Sequence, residues 1–192
     1  GGTPEHSQWI NTNEPFPNFE FLKSLKEAIG EKGRVLTWSH HERNTLNDIV
    51  SQMERYGRVE PDLRRWVEAL TDKDEGRILD LNKVCLDCYF HPEMLGKTSL
   101  KYVLPAIWNN NRESHALSWL KKYAQYDETG RPIDPYKVLS EIEIAGSAEV
   151  VNEGTGAMTA YAEMMYGRVK NDPETKEKWR RLLLQYCELD TL

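Results

Sequence analysis

Residues 171–192 read NDPETKEKWRRLLLQYCELDTL and predict the helix around which the rest of the chain is organised. Asp172 is suited to cap this helix, Pro173 takes the first helical position, where a missing N–H costs nothing, and Glu174 lies in the first turn, where the helix dipole favours an acid. Apolar residues then recur at steps of three and four, and they predict one face packed on a core: Trp179, Leu182, Leu183, Tyr186 and Leu189.

Tyr186 and Asp190 lie four residues apart, so the phenol and the carboxylate stack one turn from each other on the same side of the helix. A carboxylate on or beside a buried face needs a partner, and a metal ion is one of the few that satisfies it fully. A plainer interpretation, a rim tyrosine and a surface acid, stays open. No glycine or proline follows Asp190 to cap the helix, so we expect this sequence to be a piece of a longer protein.

The composition is that of an ordinary water-soluble domain. Of the 192 residues, 39% are hydrophobic and 29% are charged, which is enough apolar material for a sizeable core. The chain has no apolar run that could span a bilayer and no basic-then-apolar leader, so we expect no membrane partner and a cytoplasmic location. The net charge of −6 does not favour broad binding of phosphates, but an acidic metal site recruits cations that reverse the local field.

The cysteines do not indicate a disulfide framework or a zinc site. Their number, three, is odd. Cys85, Cys88 and His91 occur close together in CLDCYFH, but a fourth ligand with matching spacing is absent. Packing of these cysteines beside other apolar residues is the favoured interpretation.

Two short segments predict buried strands, residues 34–38 (RVLTW) and residues 77–81 (RILDL). Residues 5–11 (EHSQWIN) are a candidate edge strand, and helices are predicted over most of the remaining chain, including residues 136–144. A sheet of two or three strands is too small to cover the apolar helix faces that would flank it. The sequence therefore predicts a helix-rich α/β fold that is either mainly helical or completed by strands upstream.

Polar side chains follow both predicted strands. Glu42 lies in the first turn of a predicted helix directly after the first strand, within SHHERN, and Asp80 lies near the end of the second. Side chains at such corners point out of the end of the sheet, where sites are often built. Structural roles are nevertheless favoured for Asp80, as part of a strand end, for His91, as a loop anchor, and for the histidines before Glu42, as surface residues.

Three features together carry a resemblance. They are WSHHERNTL with Glu42, the segment HPEMLGKTSLKYVLPAIW after the strand with Asp80, and the closing Tyr186-x-x-x-Asp190. This order resembles the second half of the ribonuclease H-like 3′–5′ exonucleases of the DnaQ type, in the subclass whose last motif is Tyr-x-x-x-Asp. FHPEMLGKTSLKYVLPAIW, GTGAMTAYAEM and YCELDT are also similar to sequences of a bacterial family of domains of unknown function assigned to that fold. The likeness covers most of the chain and is strongest over residues 80–192.

The resemblance implies a metal-dependent exonuclease that hydrolyses DNA or RNA phosphodiesters with two divalent ions, Mg²⁺ or Mn²⁺, bound by four carboxylates. Asp190 matches the last carboxylate, Tyr186 matches the tyrosine that helps to place the attacking water, and Glu42 stands where the acid of the second motif is expected. The first motif, Asp-x-Glu, is not found. Residues 1–192 are therefore expected to be the C-terminal part of a single ribonuclease H-like domain, with the fold incomplete.

Glu42 and Asp190, as two carboxylates, could hold one ion weakly but hardly two, so little or no catalysis is expected from this chain alone. Two hypotheses follow. The first is a metal-dependent nuclease core acting on single-stranded DNA or RNA, and the second is a non-catalytic interaction or scaffolding module with a degenerate site. An open sheet edge would also permit self-association.

Overall fold

The chain divides after Phe90 into two units, Gly1–Phe90 and His91–Leu192. The structure, a computed structural model, describes residues 5–13, 16–139, 142–144, 147–149 and 154–191. The described part is helix-rich with short strands, which confirms the predicted helix-rich α/β class.

The first unit consists of four helices and a small parallel sheet. The elements in chain order are α1 (Asn18–Ile29), β1 (Val35–Thr37), α2 (His41–Arg55), α3 (Pro61–Thr71), β2 (Ile78–Asp80) and α4 (Leu81–Cys88). β1 and β2 pair in parallel, with Val35 opposite Ile78 and Thr37 opposite Asp80. Two parallel neighbours need a crossover connection, which α2 and α3 supply.

The core of the first unit lies between α1, α2 and α3. Each of these helices has apolar residues at helical spacing, and Pro61 at the start of α3 fits the position where a backbone N–H has no partner. The buried members of this core are Phe19, Leu22, Leu46, Ile49, Val50, Met53, Leu63, Trp66, Val67 and Leu70.

Both strands predicted from the sequence are present, whereas the third is not. Residues 5–11 are described and adopt no strand, so the prediction of an edge strand there is wrong. The sheet is correspondingly small, and Leu36 in β1 is 58% exposed and Leu79 in β2 is 44% exposed. One apolar side chain on each strand is therefore largely open to solvent.

The second unit is helical with one hairpin. Its elements are α5 (Leu100–Asn110), α6 (Pro135–Val138), β3 (Ile142–Ile144), β4 (Ser147–Glu149), α7 (Gly154–Tyr166) and α8 (Pro173–Thr191), with short 3₁₀ segments between some of them. The buried residues that form its core include Met94, Val103, Ala106, Trp108, Tyr123, Tyr136, Ala160, Met164, Met165, Trp179, Leu183, Leu184, Tyr186 and Leu189.

The start of α8 confirms the sequence prediction. Asp172 accepts hydrogen bonds from the Thr175 N–H at 3.2 Å and from the Thr175 hydroxyl at 2.6 Å, and the helix begins at Pro173. The apolar stripe is also present, although Leu184 is buried and Leu182 is only half-buried.

The helix predicted over residues 136–144 is wrong beyond Val138. α6 has four residues, and Leu139 after it is extended with ψ 137°. Ile142–Ile144 then pairs in antiparallel register with Ser147–Glu149. The reason is the alternation of isoleucine and glutamate in this segment, since β-branched residues at a period of two favour a strand.

A search of the described helices for membrane-spanning character was negative, because none combines the necessary length with the necessary apolarity.

Candidate functional site

Asp190 lies in the last turns of α8 and is half-buried. The Tyr136 hydroxyl donates to its Oδ1 atom across 2.7 Å. The Tyr186 hydroxyl also hydrogen-bonds the Asp190 carboxyl, as the four-residue spacing allows. Two phenols thus converge on one half-buried carboxylate.

Two separate elements bring these phenols to Asp190. Tyr186 lies on the buried stripe of α8, which fixes the direction of its ring. Tyr136 lies in α6, where Pro135 takes the first helical position and Asp134 accepts a hydrogen bond from the Tyr136 N–H at 2.9 Å. This capped turn holds Tyr136 with only 4% of its surface exposed.

Lys101 completes the cluster from a third element. It lies at the start of α5, with its Nζ atom 5.7 Å from the ring centre of Tyr136 and 5.6 Å from that of Tyr186. An ammonium group at this distance is attracted by the ring faces. We refer to Lys101, Tyr136, Tyr186 and Asp190 as the tyrosine–aspartate cluster.

Burial and the neighbouring polar groups have opposite effects on the pKa of Asp190. Burial raises the pKa of Asp190, while the hydrogen bonds from Tyr136 and Tyr186 and the charge of Lys101 partly lower it again. Burial, followed by the bond to Asp190, also raises the pKa of Tyr136, so this phenol stays protonated and remains a donor. Burial and the nearby Asp190 charge raise the pKa of the Cys187 thiol.

The donor set of the cluster suits a hard cation in kind. Carboxylate and hydroxyl oxygens are the ligands that Mg²⁺ and Mn²⁺ prefer. The number of charged oxygen ligands is small, because Asp190 is the single carboxylate of the cluster. Within the described ranges, no group of three or more His, Cys, Asp and Glu side chains is placed to hold a metal ion. Asp190 would therefore hold an ion mostly through water and further oxygens from other groups.

Glu42, the other predicted ligand, belongs to the first unit. It is exposed in the first turn of α2, as predicted, and it lines an apolar cleft together with Phe21, Leu25, Val35 and Leu36. Tyr186 and Asp190 belong to the second unit. The structure thus brings Tyr186 and Asp190 into contact within the second unit.

Asp80 has the structural role favoured by the sequence. Its Oδ1 atom accepts hydrogen bonds from the backbone N–H groups of Ser39 and Asn82, each at 2.9 Å. The first bond ties the chain after β1 to the end of β2, and the second caps α4. Ser39 has a φ of 80°, an unusual conformation for a serine, and the bond to Asp80 holds it there.

His91 fits its plainer interpretation, and the cysteines fit theirs only in part. His91 accepts from the Glu93 N–H at 3.3 Å and so anchors its own loop. Cys85 is buried in α4 as predicted, whereas Cys88 is exposed, and the three cysteines are free thiols.

Sequence reasoning missed Tyr136 and Lys101. For Tyr136 a local signal exists, since Asp134-Pro135 is a typical helix start that predicts an ordered turn. Its contact with Asp190 spans 54 residues and leaves no periodic trace in the sequence. For Lys101 we find no sequence signal, because a lysine in the first turn of a helix is most often a solvated residue.

Residues 1–99 match the model of a family described as a domain of unknown function (DUF2779). The matched range is just over half of the chain and contains Glu42 and Asp80. The chain belongs to this family. The match to the DUF2779 model confirms the resemblance to a domain of unknown function, although it lies on the first half of the chain, and the tyrosine–aspartate cluster lies beyond it. Comparison with curated proteins and with solved structures finds no match.

Proposed function

We propose that this chain is part of a metal-dependent 3′–5′ exonuclease-like domain, of ribonuclease H-like fold, that acts on phosphodiesters of single-stranded DNA or RNA in the cytoplasm. The observation that carries the proposal is the pairing of the half-buried Asp190 carboxylate with the Tyr186 phenol one helical turn away. A functional Tyr-x-x-x-Asp motif requires the two side chains to lie together. The four-residue spacing in the sequence allows this pairing but does not by itself ensure it.

The roles of the residues follow from their chemistry. Asp190 is an oxygen ligand for Mg²⁺ or Mn²⁺, and its burial makes binding of a cation favourable, because the ion offsets the cost of a desolvated charge. Tyr186 presents a hydroxyl that can hold a water molecule by a hydrogen bond. A bound divalent ion supplies polarisation of the phosphodiester and activation of water.

Glu42 is the second carboxylate that the nuclease resemblance assigns to the metal. With Asp190 as the single carboxylate of the tyrosine–aspartate cluster, we expect weak binding of one ion and little or no cleavage by this chain.

The alternative function is a non-catalytic interaction module, and one observation favours it. Leu36 of β1 is 58% exposed beside an apolar cleft lined by Phe21, Leu25 and Ile29. An exposed apolar strand next to such a cleft is suited to pair with another strand, including one from a second copy of the chain.

Calorimetric titration with Mn²⁺ tests the nuclease proposal. We expect weak binding by the wild type and none by Asp190→Asn, because this variant loses the charged ligand. Glu188→Gln is the matched control, since Glu188 lies on the same helix but is bound to Lys122 and Tyr123. The same samples are incubated with labelled single-stranded DNA and RNA to detect residual cleavage.

The proposal fails if the wild type binds no more Mn²⁺ than Asp190→Asn does. The interaction module is tested separately by sedimentation velocity of the wild type and of Leu36→Lys. Self-association that this charge abolishes supports the alternative, and a wild type that is monomeric at high concentration contradicts pairing between copies.

A further inference from the structure

We propose that a cleft beside the small parallel sheet of the first unit binds a phosphate monoester through Arg43, Lys73 and Lys83. The cleft has a volume of about 370 Å³, which suits a small organic ligand. All of its lining residues belong to Gly1–Phe90. The inference therefore goes beyond the proposed function and does not rest on it.

The cleft lies where the two parallel strands end. Asp80 is the last residue of β2, Ser39 follows the end of β1 by two positions, and both line the cleft. Ligands of open α/β sheets bind at the carboxyl ends of the parallel strands, where the connections to the next helices carry polar side chains. The cleft thus occupies the end of this sheet at which a ligand is expected.

Three cationic residues line the cleft from three different elements. Arg43 belongs to the first turn of α2, Lys73 to the turn between α3 and β2, and Lys83 to α4. Among the residues that the structure describes, none of the three makes a side-chain hydrogen bond or an ion pair. Three positive charges around one cleft repel each other, and a bound anion removes this repulsion.

Arg43 is the strongest of these observations, because its side chain is half-buried and yet has no acceptor within the described part of the chain. The two other half-buried arginines of this unit are both paired, Arg64 with two glutamates and Arg77 with three backbone carbonyls. The nearby Asp72 carboxylate accepts instead from two backbone N–H groups of its own turn. A guanidinium removed from water without an acceptor is costly, and an anionic ligand would supply the acceptor.

A phosphate monoester fits the cleft in charge and in shape. The planar guanidinium of Arg43 can donate to two phosphate oxygens at once, and the lysines add compact positive charges. Ile78, Leu79 and Val84 give the same cleft an apolar wall, which suits the organic part of the ligand, such as the base of a nucleoside monophosphate. A free phosphate ion has the same charged group but makes no use of this wall.

Two acids also line the cleft and limit how strongly it attracts anions. Asp80 accepts from the backbone N–H groups of Ser39 and Asn82, and Asp87 is exposed. With His40 counted as neutral, the lining has one more positive than negative side chain. We therefore expect moderate affinity that decreases as salt is added.

Calorimetric titrations of the whole chain with AMP, inorganic phosphate and adenosine, without metal ions, test the proposal. We expect AMP to bind at low salt and adenosine not to bind, because adenosine lacks the phosphate. Arg43→Gln should weaken AMP binding by about tenfold or more, since hydrogen bonds between charged groups are lost. Arg55→Gln is the matched control, because Arg55 ends the same helix, is exposed and lies outside the cleft. Thermal unfolding followed by circular dichroism checks that both variants are folded.

Weaker AMP binding by Arg43→Gln, with Arg55→Gln within about twofold of the wild type, supports the site. Phosphate that binds at least as tightly as AMP means that the phosphate group alone is recognised, and tighter AMP means that the apolar wall contributes; both results agree with the proposal. The proposal is overturned if adenosine binds as well as AMP, if both variants lose affinity alike, or if the wild type binds neither AMP nor phosphate. Because no metal ion is present, these outcomes are independent of the Mn²⁺ test of Asp190.

Discussion

Asp80 in the first unit and Asp190 in the second are both half-buried carboxylates, but they are satisfied by different donors. Asp80 accepts two backbone N–H groups at 2.9 Å, from Ser39 and Asn82. Asp190 accepts from the side-chain hydroxyls of Tyr136 and Tyr186. The fold around Asp80 would lose backbone hydrogen bonds without its carboxylate, whereas the hydrogen-bond donors to Asp190 among the described residues are side-chain hydroxyls.

The difference separates a structural acid from a candidate ligand. Backbone donors are obligatory groups, so a carboxylate that binds them is part of the local architecture. Hydroxyl donors can turn to water or to another acceptor, and they leave the carboxylate with lone pairs for an ion. Burial that raises the pKa of Asp190 marks a charge that the fold only partly compensates.

Among the variants that test this difference, Asp80→Ala is expected to have the largest effect, a loss of folding stability. The variant loses the cap of α4 and leaves the Ser39 N–H without its acceptor, which together should lower the free energy of unfolding by about 1–3 kcal/mol. Urea unfolding followed by circular dichroism measures the change. Asp80→Asn keeps an acceptor oxygen and should lose much less, and an alanine variant as stable as wild type would remove the structural role.

A smaller effect is expected for Lys101→Met, which should increase the affinity of Asp190 for Mn²⁺. The methionine keeps the packing of the chain on the rings of Tyr136 and Tyr186 but removes a positive charge near Asp190. A unit positive charge repels a nearby divalent ion, so Mn²⁺ should bind several-fold tighter to the variant. Calorimetry at low salt shows the change best, because salt screens it.

Lys97→Met is the control for this charge. The Nζ atom of Lys97 also lies against a tyrosine ring, that of Tyr102, at 4.3 Å, and it donates to the hydroxyl of the same residue. The cluster does not include this lysine, so its replacement should leave the Mn²⁺ affinity nearly unchanged. Weaker binding by Lys101→Met would instead indicate that Lys101 helps to hold Asp190 in place.

The parts of the fold that could be predicted from the sequence are those fixed by neighbouring residues. The cap at Asp172, the proline after it and the three-and-four spacing of the apolar residues defined α8, and two apolar segments defined β1 and β2. The strand-end position of Asp80 was also visible. Each depends on residues within a few positions, where propensity and capping act.

Contacts between distant segments could not be predicted. The hydrogen bond between Tyr136 and Asp190 depends on where α6 meets α8, and no periodicity encodes that meeting. The strand Ile142–Ile144 was missed for another reason, because its alternation of isoleucine and glutamate is a local strand signal that the helix prediction over residues 136–144 did not use. Of the tyrosine–aspartate cluster, Tyr186 and Asp190 could thus be predicted from the sequence. Tyr136 and Lys101 could be identified only from the structure.

The smallest predicted effect concerns the charge of Asp190 without metal. Burial raises the pKa of this carboxyl in the folded chain above 3.8, the ordinary value of an aspartate. At pH values between the Asp190 pKa of the unfolded chain and that of the folded chain, the folded chain binds more protons than the unfolded chain. The free energy of unfolding therefore falls as the pH rises through this window. Asp190→Asn removes this loss and keeps an oxygen that can accept from Tyr136.

Metal-free Asp190→Asn should therefore be more stable than wild type near pH 7. The advantage should shrink as the pH is lowered toward 4, which melting curves at several pH values would show. A difference that is constant over this range would mean that the Asp190 charge is already compensated in the fold. Asp190 would then resemble Asp80, and the main physical reason for a cation at this position would be gone.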